Sequence, residues 1–320
     1  MSKYKKIDIA NIKTIKFNKR ETKSELSEFA SPFDPDDNFG SFLNSLPKHL
    51  KAEDLLELAS DIAGAVKEKR MTIWMMGAHP LKVGLSPIII DLIESGFVGH
   101  LAVSGAFIIH DTELAFFGRT SEDVSEGIKD GSFGMVEETP NLIFEAVAKA
   151  RSEKLGLGEG MGKFIVDNKS EFENYSVISA CYRNDIPVSV HVAIGTDTIS
   201  QHPGFDGSSF GELSHNDFLL LSESVSKLAG GAVINFGSAV ILPEVFLKAL
   251  TVARNLRGAI EDFSTANFDM IQHYRPNTNV VKRPLSGKGK GFSFTGHHEL
   301  MLPLLAAAIK YNYKELSKGK

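Results

Sequence analysis

The chain is predicted to be an α/β protein: a Rossmann-like, mostly parallel sheet with helices on both faces. Three observations predict it. Short, continuously apolar runs alternate with stretches of helical spacing, the pattern of strands buried on both faces. Several of these runs stop at small residues, namely Gly77, Ser104-Gly105, Gly195 and Gly237-Ser238. No repeat and no Pro/Ser-rich linker divides the chain, so residues 47–320 read as one domain behind an N-terminal arm, residues 1–46.

The arm is polar and basic, then acidic around Asp34-Pro35-Asp36-Asp37. Two readings stay open for it: packing on a neighbouring subunit, or disorder. Ala52–Lys69 has the apolar stripe of an amphipathic helix, carried by Leu55, Leu58, Ala59, Ile62 and Val66. The organising stretch is Met71–Phe117. Thr72–Met76 reads as a strand and Gly84–Ser95 as a helix with Pro87 in its first turn, closed by Gly96. His100–Val103 reads as a second strand, followed by a helix carrying Asp111 and Glu113. Two parallel strands that end in small residues form a crevice at their carboxyl ends, where open α/β sheets bind ligands.

Further along, residues 118–139 carry turn and capping signals, with Ser121 a candidate helix cap. Two readings stay open for the loop, a lid over a site and a surface connection. Pro140–Leu155 is a helix. The glycine run at 156–163, GLGEGMGK, lacks the GxxxxGK[ST] form and follows no strand, so it is not a phosphate loop. Pro187–Ile194 reads as a buried strand, residues 200–212 as a polar loop, Phe218–Leu228 as a helix and Ala232–Phe236 as a strand. A helix follows through Pro243, then a strand at Ile260–Phe263 ending at Ser264-Thr265-Ala266. Residues 272–291 read as a loop, and Glu299–Tyr311 as the closing helix.

Composition narrows the function. A net charge of -5 gives no electrostatic footprint for nucleic acid. The apolar runs are too short to span a bilayer, and no signal sequence is visible at the N-terminus, so a cytoplasmic protein is expected. The one cysteine, Cys181, excludes an intrachain disulfide and reads as a buried thiol. No HxH or HExxH spacing suggests a metal centre, and no GxSxG elbow suggests a serine hydrolase. The strand ends gather His79, His110-Asp111, His191, Asp197, His202, Asp206, Asp269, His273 and His297-His298. Carboxylates there can hold a ribose hydroxyl or a cationic amine, and histidines can move protons near neutral pH. Lys282, Lys288 and Lys290 would matter to Schiff-base chemistry.

From residue 70 to 310 the chain resembles the deoxyhypusine synthase family. The resemblance rests on a helix between two glycine-rich turns, with His110-Asp111 where the family has an acidic pair. It rests also on Phe205-Asp206-Gly207-Ser208 near a T-D-G-S phrase, with Asp197 a competing match, and on Gly237-Ser238-Ala239 near a G-G-G turn. Thr265-Ala266-Asn267-Phe268-Asp269 resembles a T-A-x-x-F-D phrase, and Leu300–Ala307, with Pro303, the last helix. The resemblance implies an NAD-binding fold, a homotetramer and transfer of an alkyl group from a polyamine or related amine through an imine. It implies that Ser104, Gly105, Asp111, Gly237, Ser238, Thr265, Ala266, Asp269 and His297 line NAD. Asp197, Asp206 and His191 would face the small-molecule amine, and His110 with Lys282 or Lys288 would carry the chemistry. Leu242-Pro243-Glu244 stands where the family has K-H-H, and no W-G-K phrase is present. A different small-metabolite enzyme using His110, His191 and His297 for acid–base chemistry, and a non-catalytic dinucleotide-binding protein, are the alternatives.

Overall fold

A computed structural model describes residues 2–285 and 287–318. The chain divides into a unit ending at Glu53 and a larger one beginning at Asp54. In the first, helix α1 (Phe39–Ser45) is capped by Asn38, whose side chain accepts the Ser41 amide. The Phe33 and Phe42 rings meet edge to face at 5.5 Å. Helix α2 (Leu50–Lys67) starts in this unit and continues into the second.

The second unit is built on a six-stranded sheet. Along the chain come β1 (Thr72–Met76), α3 (His79–Lys82), α4 (Ser86–Glu94), β2 (His100–Ser104) and α5 (Gly105–Phe117). Then follow α6 (Val124–Asp130), α7 (Glu138–Glu153), α8 (Leu157–Asp167), α9 (Val177–Arg183), β3 (Val188–His191) and α10 (Gly207–Val225). The last elements are β4 (Ala232–Phe236), α11 (Ile241–Arg257), β5 (Ser264–Asp269), the short turn α12 (Tyr274–Pro276), β6 (Lys290–Thr295) and α13 (His298–Lys318). The strand order is β3-β2-β1-β4-β5-β6 and every pairing is parallel. The order reverses between β1 and β4, the switch point of a doubly wound sheet. The α/β, Rossmann-like, parallel fold expected from the sequence is the fold observed.

Each sheet face has its own core. On one, Ile73, Met75, Ala102 and Val233 pack with Leu221, Val225, Phe246 and Leu250 of α10 and α11. On the other, Phe236, Phe268 and Phe294 occupy one register row of three adjacent strands. Their rings stack with centroids 4.5 Å apart at each step. The glycines of 156–163 serve packing within α8. A Cβ at Gly158 would strike the Val188 carbonyl, and one at Gly160 the Ala150 methyl. Among the described residues, no helix is long and apolar enough to cross a membrane.

Several element boundaries differ from the expected ones. The strand placed at Ile260–Phe263 lies four residues later, at Ser264–Asp269, because Asp262 takes a positive φ of 60° and pairing with β4 begins only at Ser264. Thr265 and Ala266 are therefore inside a strand rather than at its closing turn. Helix α10 starts at Gly207, not Phe218, because Asp206 accepts the Ser208 amide as its cap. Ser121 caps no helix: it has φ 72°, and Asp123 caps α6. The stretch read as a loop through residue 291 contains the start of β6, an edge strand that buries only Phe292 and Phe294.

Candidate functional site

The switch point sits where β1 and β4 end, and both chains turn there on glycine. The Gly77 amide donates to the Phe236 carbonyl at 3.0 Å. A Cβ on Gly77 would lie 2.6 Å from the Gly237 carbonyl oxygen. Gly237 has φ 68°, and a Cβ there would come within 2.5 Å of His298 Cε1. Only glycine allows this approach at either position.

His298, the first residue of α13, stands over that turn. It is 1% exposed, and its ring meets His79 edge to face at 5.2 Å. Nε2 donates to the Phe268 carbonyl at 3.1 Å, which sets the tautomer and leaves Nδ1 as an acceptor. That Nδ1 is buried and has no hydrogen-bond partner among the described residues. Burial pulls the His298 pKa down, so the ring is neutral at physiological pH.

Beside it, on the α10/α11 face, an amide network ties the ends of β4, β5 and β6 together. Asn235 Nδ2 donates to Asn267 Oδ1 at 2.7 Å and to the Ser238 carbonyl at 3.0 Å. Asn267 Nδ2 donates to Gln272 Oε1, and Gln272 Nε2 to the Phe294 carbonyl. Asn235 Oδ1 and Thr265 Oγ1 are buried without a hydrogen-bond partner among the described residues. A buried polar group left unpaired costs free energy, so such atoms mark places where a ligand could restore a bond.

The turn after β2 is different. Asp197, 9% exposed, accepts the Ala106 amide at the N-terminus of α5, and a Cβ on Gly105 would collide with its Oδ2. Burial raises the Asp197 carboxyl to about 6 against that hydrogen bond. A carboxylate thus occupies the helix end to which the resemblance assigns an anionic cofactor at Ser104 and Gly105. A phosphate and an ionised Asp197 would repel each other there.

The other expected residues are scattered. Asp111 is fully buried and accepts from Ser176 Oγ at 2.6 Å, Val177 N at 2.7 Å and Ile178 N at 3.3 Å, so it caps α9. His110 Nδ1 lies 2.6 Å from Thr120 Oγ1, and that hydroxyl donates to Glu113. Burial opposes ionisation of Glu113, but hydrogen bonds from His110, Thr120 and Thr139 outweigh it and lower its pKa. Asp206 accepts from the hydroxyls of Ser208 and Ser209, which hold its pKa down to about 2. Asp269 ends β5 at the crevice, whereas His297 is exposed and 3.7 Å from Glu299. Lys288 precedes β6 and pairs with Glu261 at 2.5 Å, at the amino ends of the strands. Lys282 is exposed at the end of the π-helical turn Asn277–Lys282, and the carbonyl of the preceding Val281 lies against Gly291 near the amino end of β6. The crevice and both lysines are thus at opposite edges of the sheet.

The structure brings Gly237, Ser238 and Asp269 to the switch-point edge together with His79 and His298, which the sequence reading placed at the strand ends without a specific role, and adds Asn235 and Asn267, which it did not name as site residues. The adjacent pair His297-His298 was visible. Which ring turns inward depends on where α13 begins.

No family model matches the sequence, and no curated protein matches it. The fold does match solved structures. A conserved protein from Methanococcus maripaludis S2, provisionally assigned as LOR/SDH, is 16% identical with a TM-score of 0.52, over 82% of this chain and 71% of that one. AgrE, in a ternary complex with ornithine and NAD+, is 12% identical with a TM-score of 0.51, over 84% of this chain and 34% of that one. This chain therefore spans about a third of AgrE. A protein from Entamoeba histolytica provisionally named a deoxyhypusine synthase is 13% identical over 87% of this chain and 95% of that one. Its TM-score of 0.47 adds nothing to the fold assignment. At these identities the likeness is one of fold alone, an α/β, Rossmann-like fold.

Proposed function

We propose that the protein is an NAD-dependent enzyme acting on a small amine-bearing substrate at the carboxyl edge of its sheet. One observation carries this reading. The strand order reverses between β1 and β4, and at that point the two turns meet as glycine against glycine. Tight glycine turns at the switch point are where a doubly wound sheet takes a dinucleotide, and here they bring His298 over the turn. Two further features fit such a ligand: the unpartnered His298 Nδ1 and Asn235 Oδ1, both able to accept from an amide. The fold-mate AgrE holds NAD+ together with ornithine, an amine-bearing molecule, which agrees with the reading.

When bound, a nicotinamide dinucleotide supplies a hydride acceptor. Gly77, Gly237 and Ser238 would form its floor, and His298 would face it with a neutral ring. Asp197 and Asp269 would draw a cationic amine to the same edge. The finer reading, transfer of an aminobutyl-type group through a lysine imine, needs an amine side chain at that edge. Lys282 and Lys288 are not there, so acid–base chemistry by histidine is the better-supported form of the reaction. The same reading takes the protein as a cytoplasmic homo-oligomer, and light scattering on the purified chain tests the tetramer.

Calorimetric titration with NAD+, with and without spermidine, is the direct experiment. Saturable binding that an amine strengthens is expected. No binding at millimolar NAD+ would end the proposal.

A further inference from the structure

A second group of histidines lies one strand beyond the switch point, and the reaction proposed above does not use it. His100, at the start of β2, is fully buried. Its Nδ1 is 2.8 Å from Ser224 Oγ of α10 and its Nε2 is 2.8 Å from Ser189 Oγ of β3. The same Ser189 hydroxyl is 2.9 Å from His191 Nε2. A serine hydroxyl has one proton, so Ser189 donates to one ring and accepts from the other. The four groups therefore share only two consistent orientations. In one, His191 carries its proton on Nδ1. In the other, it carries it on Nε2 and Nδ1 is an acceptor. Burial keeps both rings neutral, lowering His100 to about 3 and His191 to about 4.

At its β3 end the hydrogen-bond chain reaches a cleft. His191, 3% exposed, forms part of the wall of a cleft of about 260 Å³ at the carboxyl end of β3, lined also by Ile194, Ser214, His215, Phe218 and Val245. The lining has imidazole and hydroxyl groups against an apolar wall, and no carboxylate, lysine or arginine. Its chemistry suits an uncharged molecule with an apolar body and one hydroxyl.

We infer that this cleft binds a small, uncharged, hydroxyl-bearing molecule, that His191 bonds the hydroxyl, and that His100 is a positioning residue acting through Ser189. In either orientation the outward nitrogen of His191 offers a donor or an acceptor that a hydroxyl can pair and a hydrocarbon cannot, so the site discriminates a hydroxyl ligand from its hydrocarbon analogue. The inference is independent of the dinucleotide reading and survives its failure.

The test is nitrogen-15 NMR of the full chain with labelled histidine, titrated with benzyl alcohol and, separately, with toluene. Benzyl alcohol should shift the His191 ring nitrogens and bind about tenfold more tightly than toluene, the worth of one good hydrogen bond. Ser189→Ala removes the hydroxyl that couples the two rings, so it should change the His191 tautomer populations and weaken the preference for the alcohol, with toluene binding unchanged. Ser224→Ala, at the far end of the chain, supplies the same readout if the first variant does not fold. Equal affinity for the two probes, or shifts confined to His215, would overturn the site. A His191 tautomer and selectivity unmoved in both variants would overturn the positioning role.

Discussion

The Asp197 carboxylate accepts the Ala106 amide in the first turn of α5, and its Oδ2 occupies the space that a side chain on Gly105 would need. Gly105→Ala should therefore destabilise the protein by about 1–3 kcal/mol, the usual cost of overpacking a filled site. In an Asp197→Ala background the same change should cost much less, because the colliding group is gone. A double-mutant cycle in urea measures the coupling. Equal costs in the two backgrounds would show that the contact is not what requires glycine.

Asp217 ties the edge strand β3 to α8. One carboxylate oxygen accepts from Val190 N at 2.7 Å and Gly158 N at 2.9 Å, while Oδ1 is buried without a partner. Burial outweighs these backbone hydrogen bonds and raises the carboxyl to about 7. A folded pKa above the unfolded one means that the folded state holds the proton longer. The stabilisation from this proton is full below the unfolded value of 3.8 and is lost as pH rises through about 7. Wild-type stability should fall across that window by on the order of a few kcal/mol. Asp217→Asn keeps one acceptor oxygen and cannot ionise, so its urea midpoint should change less between about pH 5 and pH 8. Parallel slopes for the two proteins would refute the assignment.

The row Phe236–Phe268–Phe294 is stacked on both sides of its middle ring. Phe268→Ala should cost about 3–5 kcal/mol, as for a fully buried aromatic whose site cannot collapse. Thermal unfolding by calorimetry checks it, and a loss below about 1 kcal/mol would mean that the neighbours repack.

Lys288→Ala and Lys282→Ala test the imine route. Both side chains are exposed and lie away from the carboxyl edge. Each variant should stay within about 0.5 kcal/mol of wild type in stability. Neither should weaken NAD+ binding in the titration proposed above. Loss of turnover in either, with stability intact, would restore the lysine as the reacting group.

Much of the fold was legible because β1, β2, β3 and β4 are mostly apolar, are buried at every position and lead into small residues, the pattern of a doubly covered parallel sheet. β6 was not legible. Its approach, Gly287-Lys288-Gly289-Lys290-Gly291, has loop composition, and only pairing with β5 makes the segment a strand. The start of β5 was misread for a related reason: Ile260 and Phe263 are as buried as strand residues but belong to the lead-in.

By itself, then, the sequence determined the layer architecture, the glycine turns at Gly77 and Gly237, and the edge of the sheet where small-residue turns gather, because period and turn chemistry are local properties of the chain. Tertiary structure alone decided which polar groups meet there. It turned His298 inward and His297 outward. It spent Asp111, Asp206 and Asp197 on helix ends, and it carried Lys282 and Lys288 away from the crevice. The physical reason is that contact between residues far apart in sequence depends on strand order, register and the point where each helix begins, and no local pattern encodes these.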